Sequence, residues 1–334
     1  MPELDEEIPG DVSRRCGCRK AEARVTPRFG GRAMTTSASR TVTAGREIDY
    51  GDRTPYRLEP VWKRTKRQWW VYSGRLWHGV VGGLRANCCF MHVPKCGGTS
   101  VKLAVLRTCP IQRRVGWLDV GASRRALSLL ADQPIDEFRY HEDGPNAAQI
   151  FAFRRALLAY FLERGNVLVT GHFLFDEPIF AHFRDRYRFI TTMREPVERM
   201  ISHYTEELRN RYLTESFDAY LETNVAWRHA TAQLRYFAGL PHVDRDDVAL
   251  ALAAAKSNLR AFDLIGFIGD MGRFGAGFRE IFGRRLEVPH FLPTRHYHAA
   301  VLPKPRVDQS TRRRLEAMCA ADIELYDYAR RMVA

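Results

Sequence analysis

No run of about twenty apolar residues occurs in the 334-residue chain, so no membrane-spanning helix is expected. The nearest stretch, Trp69 to Leu84, is interrupted by Arg75 and His78. Paired cysteines at metal spacing are lacking as well. Of seven cysteines, Cys16 and Cys18 stand one residue apart, Cys88 and Cys89 are adjacent, and Cys96, Cys109 and Cys319 are isolated. That odd, scattered set builds neither a zinc site nor a stapled secreted domain, and a reducing, cytoplasmic setting is expected. The first residues are acidic where a signal peptide would be basic. Acidic charge is otherwise the scarcer sign, with 39 Asp and Glu against 52 Lys and Arg, a net +13. Such a balance favours anionic partners: nucleic acid, phosphorylated or sulfated molecules, or acidic membrane surfaces. Seventeen basic and ten acidic residues precede Ala86, however, so over half of the excess lies outside the α/β pattern described next. No Gly-x-x-x-x-Gly-Lys-Ser/Thr nucleotide loop is present.

What is present is the stretch Phe90-Met91-His92-Val93-Pro94-Lys95-Cys96-Gly97-Gly98-Thr99-Ser100-Val101-Lys102-Leu103. Cys88 to Val93 has the texture of a short buried strand, and Ser100 to Arg107 carries apolar residues at helical spacing. A strand therefore passes through a Pro-Lys-x-Gly-Gly turn into a helix. That turn gathers backbone N–H groups, two glycines, Lys95, Thr99 and Ser100 at a helix N-terminus, whose dipole favours negative charge. The expected product is an anion cradle for a phosphate or phosphate-like ester. A plain strand-to-helix connection is the competing interpretation of a bare Gly-Gly-Thr.

Residues 1–60 lack sustained periodicity and are expected to be a disordered tail. Residues 61–85 form a basic, Trp-rich arm, expected to pack on the following domain or, as a second possibility, to rest on an anionic membrane surface. From residue 86 to 334 strand and helix signals alternate, the pattern of an α/β domain with a parallel sheet. Strands are expected at 166–171, 187–193 and 264–268. Helices are expected at 123–131, 151–164, 199–211, 217–222, 246–260 (opened by capping Asp residues), 271–282 and 309–332. Residues 134–145 and 289–305 read as loops. The second holds His290, His296 and His298, without a second ligand cluster that would make them a metal site.

Two further positions sit where strands end, which is where open α/β sheets gather their chemistry. His172 follows Gly171 at the end of 166–171. Arg194 follows Met193 and opens Arg194-Glu195-Pro196-Val197-Glu198-Arg199-Met200-Ile201-Ser202-His203-Tyr204, with Pro196 suited to a first helical turn. Gln233, Arg235 and Tyr236 can face a substrate or simply the surface. Glu198 and Glu206 read as surface ion pairs.

The string His-Val-Pro-Lys-x-Gly-Gly-Thr-Ser resembles the 5′-phosphosulfate loop of sulfotransferases that use 3′-phosphoadenosine-5′-phosphosulfate (PAPS), in particular the carbohydrate group that includes heparan sulfate 2-O-sulfotransferase. Arg-x-Pro-x-x-Arg-x-x-Ser-x-Tyr resembles the 3′-phosphate site of the same enzymes. The likeness extends loosely over residues 86–331. It implies a P-loop-like, three-layer fold with a central parallel sheet flanked by helices. It also implies that Lys95, Gly97, Gly98, Thr99 and Ser100 hold the 5′-phosphosulfate, that Arg194 and Ser202 hold the 3′-phosphate, and that His172 is the general base. The family has His-Gly-His where this chain has Thr170-Gly171-His172, so the first histidine is missing. In the related enzymes a loop near residues 289–305 helps bind the nucleotide, a role open to Lys304 and Arg306.

Sulfuryl transfer requires in-line geometry, charge stabilisation on the leaving phosphate and a base for the acceptor proton. On this reading PAPS is the donor, no metal is required, and the acceptor is a carbohydrate or glycoconjugate hydroxyl, with no nucleic-acid partner. Two other classes remain: a nucleotide-dependent kinase, with Asp176 as the nearby candidate for magnesium, and a non-catalytic protein that binds polyanions or membranes.

Overall fold

Five short, largely buried strands among the described residues carry the chain's candidate chemistry at one edge of a sheet. The computed structural model describes residues 61–135, 144–209, 212–289 and 305–334; the 1–60 tail and most of the 289–305 loop lie outside them. The strands are β1 (Asn87–Met91), β2 (Val115–Leu118), β3 (Leu168–Gly171), β4 (Tyr187–Met193) and β5 (Leu264–Phe267). They pair in the order β2-β3-β1-β4-β5, every pair parallel. The α/β, three-layer expectation holds.

The helices are α1 (Val61–Val81), α2 (Gly98–Thr108), α3 (Val120–Ala131), α4 (Ala147–Glu163), α5 (Glu177–Phe183), α6 (Pro196–Arg209), α7 (Phe217–Leu221), α8 (Asn224–Ala230), α9 (Ala232–Ala238), α10 (Val248–Asn258), α11 (Met271–Phe282), α12 (Gln309–Met318) and α13 (Ala320–Met332). Side chains alternate across a strand, so the sheet has two apolar faces, and both are covered. Cys88, Phe90, Leu168 and Ile190 pack with Val101 and Val105 of α2 and Phe274, Phe278 and Phe282 of α11. Cys89, Met91, Val169 and Phe189 face the other way, onto α4, α5, α10 and α13. A third cluster joins α6, α7 and α8 to Leu315 of α12 and Cys319.

Several details differ from the sequence expectations, which held no helix at 177–183, 224–230 or 232–238. Val115–Leu118 is an additional edge strand; its Gly116 and exposed Trp117 blur the apolar alternation that would mark it. Residues 309–332 are two helices meeting at Cys319. The bend lets Leu315 enter the third cluster while Leu325 and Ala329 enter the sheet's core, two faces that one straight helix does not present together. At the start of α10, Asp247 holds the cap position without a side-chain hydrogen bond, so the expected capping role is not used.

The arm is helical. One face of α1 lies on α2, with the Arg107 guanidinium 4.6 Å over the Trp70 ring and donating to the Trp70 carbonyl. Arg75 donates to the carbonyls of Cys109, Pro110 and Arg113 at 3.2–3.3 Å, tying the helix to the end of α2.

Candidate functional site

The ends of β3, β1 and β4 are neighbours in the sheet, and they deliver His172, the Lys95 turn and Arg194 side by side. Residues 95–100 and Arg194, a hundred positions apart in sequence, are thus brought to one edge.

In the turn after β1, Lys95 has φ +64°, a left-handed conformation that costs a non-glycine residue about 1 kcal/mol or more. Gly97 has φ +70°, and a Cβ there would meet Ile268 Cδ1 at 2.3 Å. A Cβ on Gly98 would meet His92 Cδ2 at 1.8 Å, so the second glycine makes room for an imidazole. Gly97 caps α2 without a side chain, and the first turn of α2 carries no acidic residue. The N-terminal N–H groups of α2 therefore receive no side-chain cap, the condition under which a helix start takes an external anion. Thr99 and Ser100 are half-buried on that first turn.

The start of α6 is arranged differently. The Glu195 carboxylate accepts from the backbone N–H of Val197 at 3.1 Å and of Glu198 at 2.8 Å, so this helix end holds an anion of its own. Anion capacity at the second motif rests on the Arg194 side chain instead. Its Nη1 donates to the Lys95 carbonyl at 3.3 Å, and Nη2 stands 3.9 Å from Glu198 Oε2. Ser202 lies about two turns along α6, half-buried. No hydrogen bond among the described residues joins it to the other predicted site residues.

Lys95 Nζ is 3.4 Å from Glu206 Oε2, both side chains about three-quarters buried. Burial lowers the Lys95 ammonium pKa, and Glu206 opposes that shift. Glu206 is therefore no simple surface ion pair: the helical spacing that placed it on α6 says nothing of the lysine brought against it by β1.

His172 ends β3 with its Nδ1 3.2 Å from the hydroxyl of Tyr236, a residue with no exposed surface. Arg154 Nη1 donates to the His172 carbonyl at 3.2 Å. The His92 ring lies 4.4 Å from the His172 ring, centroid to centroid. Burial first, then the neighbouring His172, hold the His92 pKa well below the ordinary imidazole value, so His92 is neutral there. Thr170 is fully buried. The second imidazole beside His172 thus comes from His92, at the end of a different strand, where the family resemblance had located it at position 170.

The segment 231–239 is neither surface nor substrate-facing throughout. Gln233 is buried and bridges the two motifs: its Oε1 accepts from Arg194 N at 3.1 Å and from Cys96 Sγ at 3.7 Å, and its Nε2 donates to the Arg194 carbonyl at 3.0 Å. Arg235 is buried and donates to the Pro241 carbonyl at 3.0 Å, away from any substrate role. Behind Gln233, the fully buried Asp322 accepts from the backbone N–H of Gln233 and Leu234 and lies 3.9 Å from the fully buried Arg199. Burial pushes the Asp322 carboxyl up to about 6 despite that arginine. Only Tyr236, through His172, and Gln233, through Arg194, touch the site, and their buried positions carry no periodic signal that separates them from core.

A groove of about 640 Å³ opens between α1 and α2, lined by Arg64, Arg67, Tyr72, Thr99 and Trp117 among others, so its edge reaches the first turn of α2. Asp176 caps α5 through Ile179 N and pairs with Arg155, a structural task that occupies its carboxylate. Among the described residues no group of three or more His, Cys, Asp and Glu is placed to hold a metal ion. His290, His296, His298 and Lys304 lie outside the described residues, and Arg306 is exposed. No protein-family model matches the chain, and no curated protein matches it either.

Proposed function

We propose that this protein is a PAPS-dependent sulfotransferase acting on a hydroxyl of a carbohydrate or glycoconjugate. The observation that carries the proposal is the direct contact of Arg194 with the Lys95 carbonyl, which makes two anion-binding motifs parts of one site at adjacent strand ends. A bisphosphorylated nucleotide needs two such positions held at a fixed separation.

In this reading the uncapped start of α2, with Gly97, Gly98, Thr99 and Ser100, receives the 5′-phosphosulfate, and Arg194 with Ser202 receives the 3′-phosphate. The acceptor hydroxyl attacks sulfur in line. The new S–O bond forms as the bond from sulfur to the bridging oxygen breaks, and 3′-phosphoadenosine 5′-phosphate (PAP) leaves. Lys95 stabilises the charge that grows on the leaving phosphate. His172 takes the acceptor proton on Nε2, while the Tyr236 hydroxyl at Nδ1 fixes the ring's orientation. Glu206 holds the Lys95 ammonium before the donor arrives. The groove between α1 and α2 gives an acceptor a route to Thr99. No helix of the described residues is long and apolar enough to cross a membrane. The five described cysteines are unbridged and buried, which supports the cytoplasmic setting.

The test is calorimetric titration of the purified chain with PAP, ADP and AMP. Tight PAP binding, weakened by Arg194→Ala, is expected. Preferential binding of ADP or ATP with magnesium would replace this proposal with a kinase, and binding of none would remove the enzyme assignment. Acceptor hydroxyls are then screened with PAPS, and Lys95→Ala is expected to lower turnover by about 10²–10³.

A further inference from the structure

Helix α1 has a second face. With one side on α2, it turns outward Trp62, Trp69, Tyr72, Leu76, Trp77 and Val80, all exposed. Three of the chain's six tryptophans are in this set, each more than 60% exposed (64%, 65% and 62% for Trp62, Trp69 and Trp77). The spacing is helical: positions 62, 69, 76 and 80 fall within about 40° of one another at 3.6 residues per turn. Tyr72 and Trp77 flank them on either side, with the Trp69 and Tyr72 rings 6.1 Å apart.

Such a contiguous aromatic stripe on a water-facing helix marks an interaction surface, because isolated exposed apolar residues would not align. The charge around it selects the occupant. The 21 residues of α1 include Lys63, Arg64, Lys66, Arg67 and Arg75 and no acidic residue. Lys63 and Lys66 are exposed on the flank of the stripe at its N-terminal end, with Lys63 Nζ 5.4 Å over the Trp62 ring. Indole rings favour the headgroup level of a bilayer, and long basic side chains reach from there to anionic headgroups. A stripe of this composition, flanked by lysines at one end and by no acidic residue of its own helix, fits a flat, negatively charged, partly apolar surface.

We infer that the outward face of α1 is a docking surface for an anionic phospholipid membrane, on which the helix lies in the plane of the interface. The inference is independent of the sulfotransferase proposal, since PAP binding is measured without lipid. Docking also brings the membrane beside the groove, because Trp69 and Tyr72 line both.

The experiment is co-sedimentation of the full chain with phosphatidylcholine vesicles, with and without phosphatidylserine, while tryptophan emission is followed. Binding to the phosphatidylserine vesicles with a blue shift is expected, with little binding to phosphatidylcholine alone. A Trp62→Ser, Trp69→Ser, Leu76→Ser triple variant alters only exposed side chains, and it is expected to bind about tenfold less and to lose the shift. A Lys63→Glu, Lys66→Glu variant is expected to weaken binding and its salt dependence. Undiminished binding of the triple variant would overturn the proposal, because it would assign adsorption to the chain's diffuse net charge. Absence of binding at low salt would also overturn it. So would a wild-type dimer that the triple variant dissociates, which would give the face to a second copy. Vesicle binding gained only on deletion of residues 1–60 would give the face to the chain's own segment.

Discussion

Arg194 and Lys95 are joined through the main chain of one and the side chain of the other: the Arg194 guanidinium donates to the Lys95 carbonyl at 3.3 Å while the Lys95 side chain turns to Glu206 at 3.4 Å. The carbonyl belongs to a residue held at φ +64°, so the arginine also braces a strained turn. A single guanidinium has donors enough for both that carbonyl and a phosphate.

From this follows a prediction that separates bracing from binding. Arg194→Ala should weaken PAP by on the order of 10–100-fold, and Arg194→Lys by about tenfold, since an ammonium lacks the fork. ADP, which has no 3′-phosphate, should change little. An equal loss for both ligands in titration would mean that Arg194 acts only by shaping the Lys95 turn.

His172 and Tyr236 give a second. His172→Ala should reduce turnover by on the order of 10²–10⁴ and leave PAP affinity as it is. Tyr236→Phe removes only the oxygen at Nδ1 and should reduce kcat by about tenfold with KM unchanged. Parallel loss of PAP binding and turnover in the His172 variant would make the residue structural.

Gly98 and His92 form a steric pair. Gly98→Ala places a carbon 1.8 Å from the His92 ring and should destabilise the fold by about 1–3 kcal/mol in urea denaturation. In a His92→Ala background the same substitution should cost little, giving a coupling of about 1 kcal/mol or more. Additive effects would rule out steric conflict with His92 as the reason for glycine.

Lys102 supplies the pH-dependent prediction. It is buried with its Nζ 3.5 Å over the Trp117 ring, and burial lowers its pKa to about 8, against the attraction of Asp119. The folded state therefore holds this proton less tightly than the unfolded chain. Its charge is a cost that is full below pH 8 and is relieved as pH rises from there toward the unfolded value. Lys102→Met should stabilise the protein by about 1–2 kcal/mol at pH 7, because the cation–π attraction given up is smaller than the burial cost removed. The advantage should fade between pH 8 and about 10.5 in chemical denaturation. A constant difference across that range would show that the lysine is not penalised by burial.

Residue order alone carried much of the architecture. The strand 187–193 and the helix 271–282 have the bounds expected of them, the helix because Asp270 caps its start and left-handed Gly283 its end. The turn at Lys95-Cys96-Gly97-Gly98 and the placement of His172 and Arg194 at strand ends were legible for the same reason: their geometry is set by neighbours in sequence. The edge strand 115–118 was not legible, since four residues with a glycine and an exposed tryptophan carry no period.

Other features belong to the tertiary structure. Sheet order makes β3, β1 and β4 neighbours, and no local pattern encodes which strands pair. Only that order sets Glu206 against Lys95, His92 against His172, and Gln233 between Arg194 and Cys96. Likewise, composition alone showed the 61–85 arm to be basic and Trp-rich. Which face of its helix packs on α2, and which faces solvent, was decided by packing between segments distant in sequence. Short-range sterics and capping write themselves into adjacent residues; the pairing of distant surfaces depends on the whole chain's burial and is read only from the folded molecule.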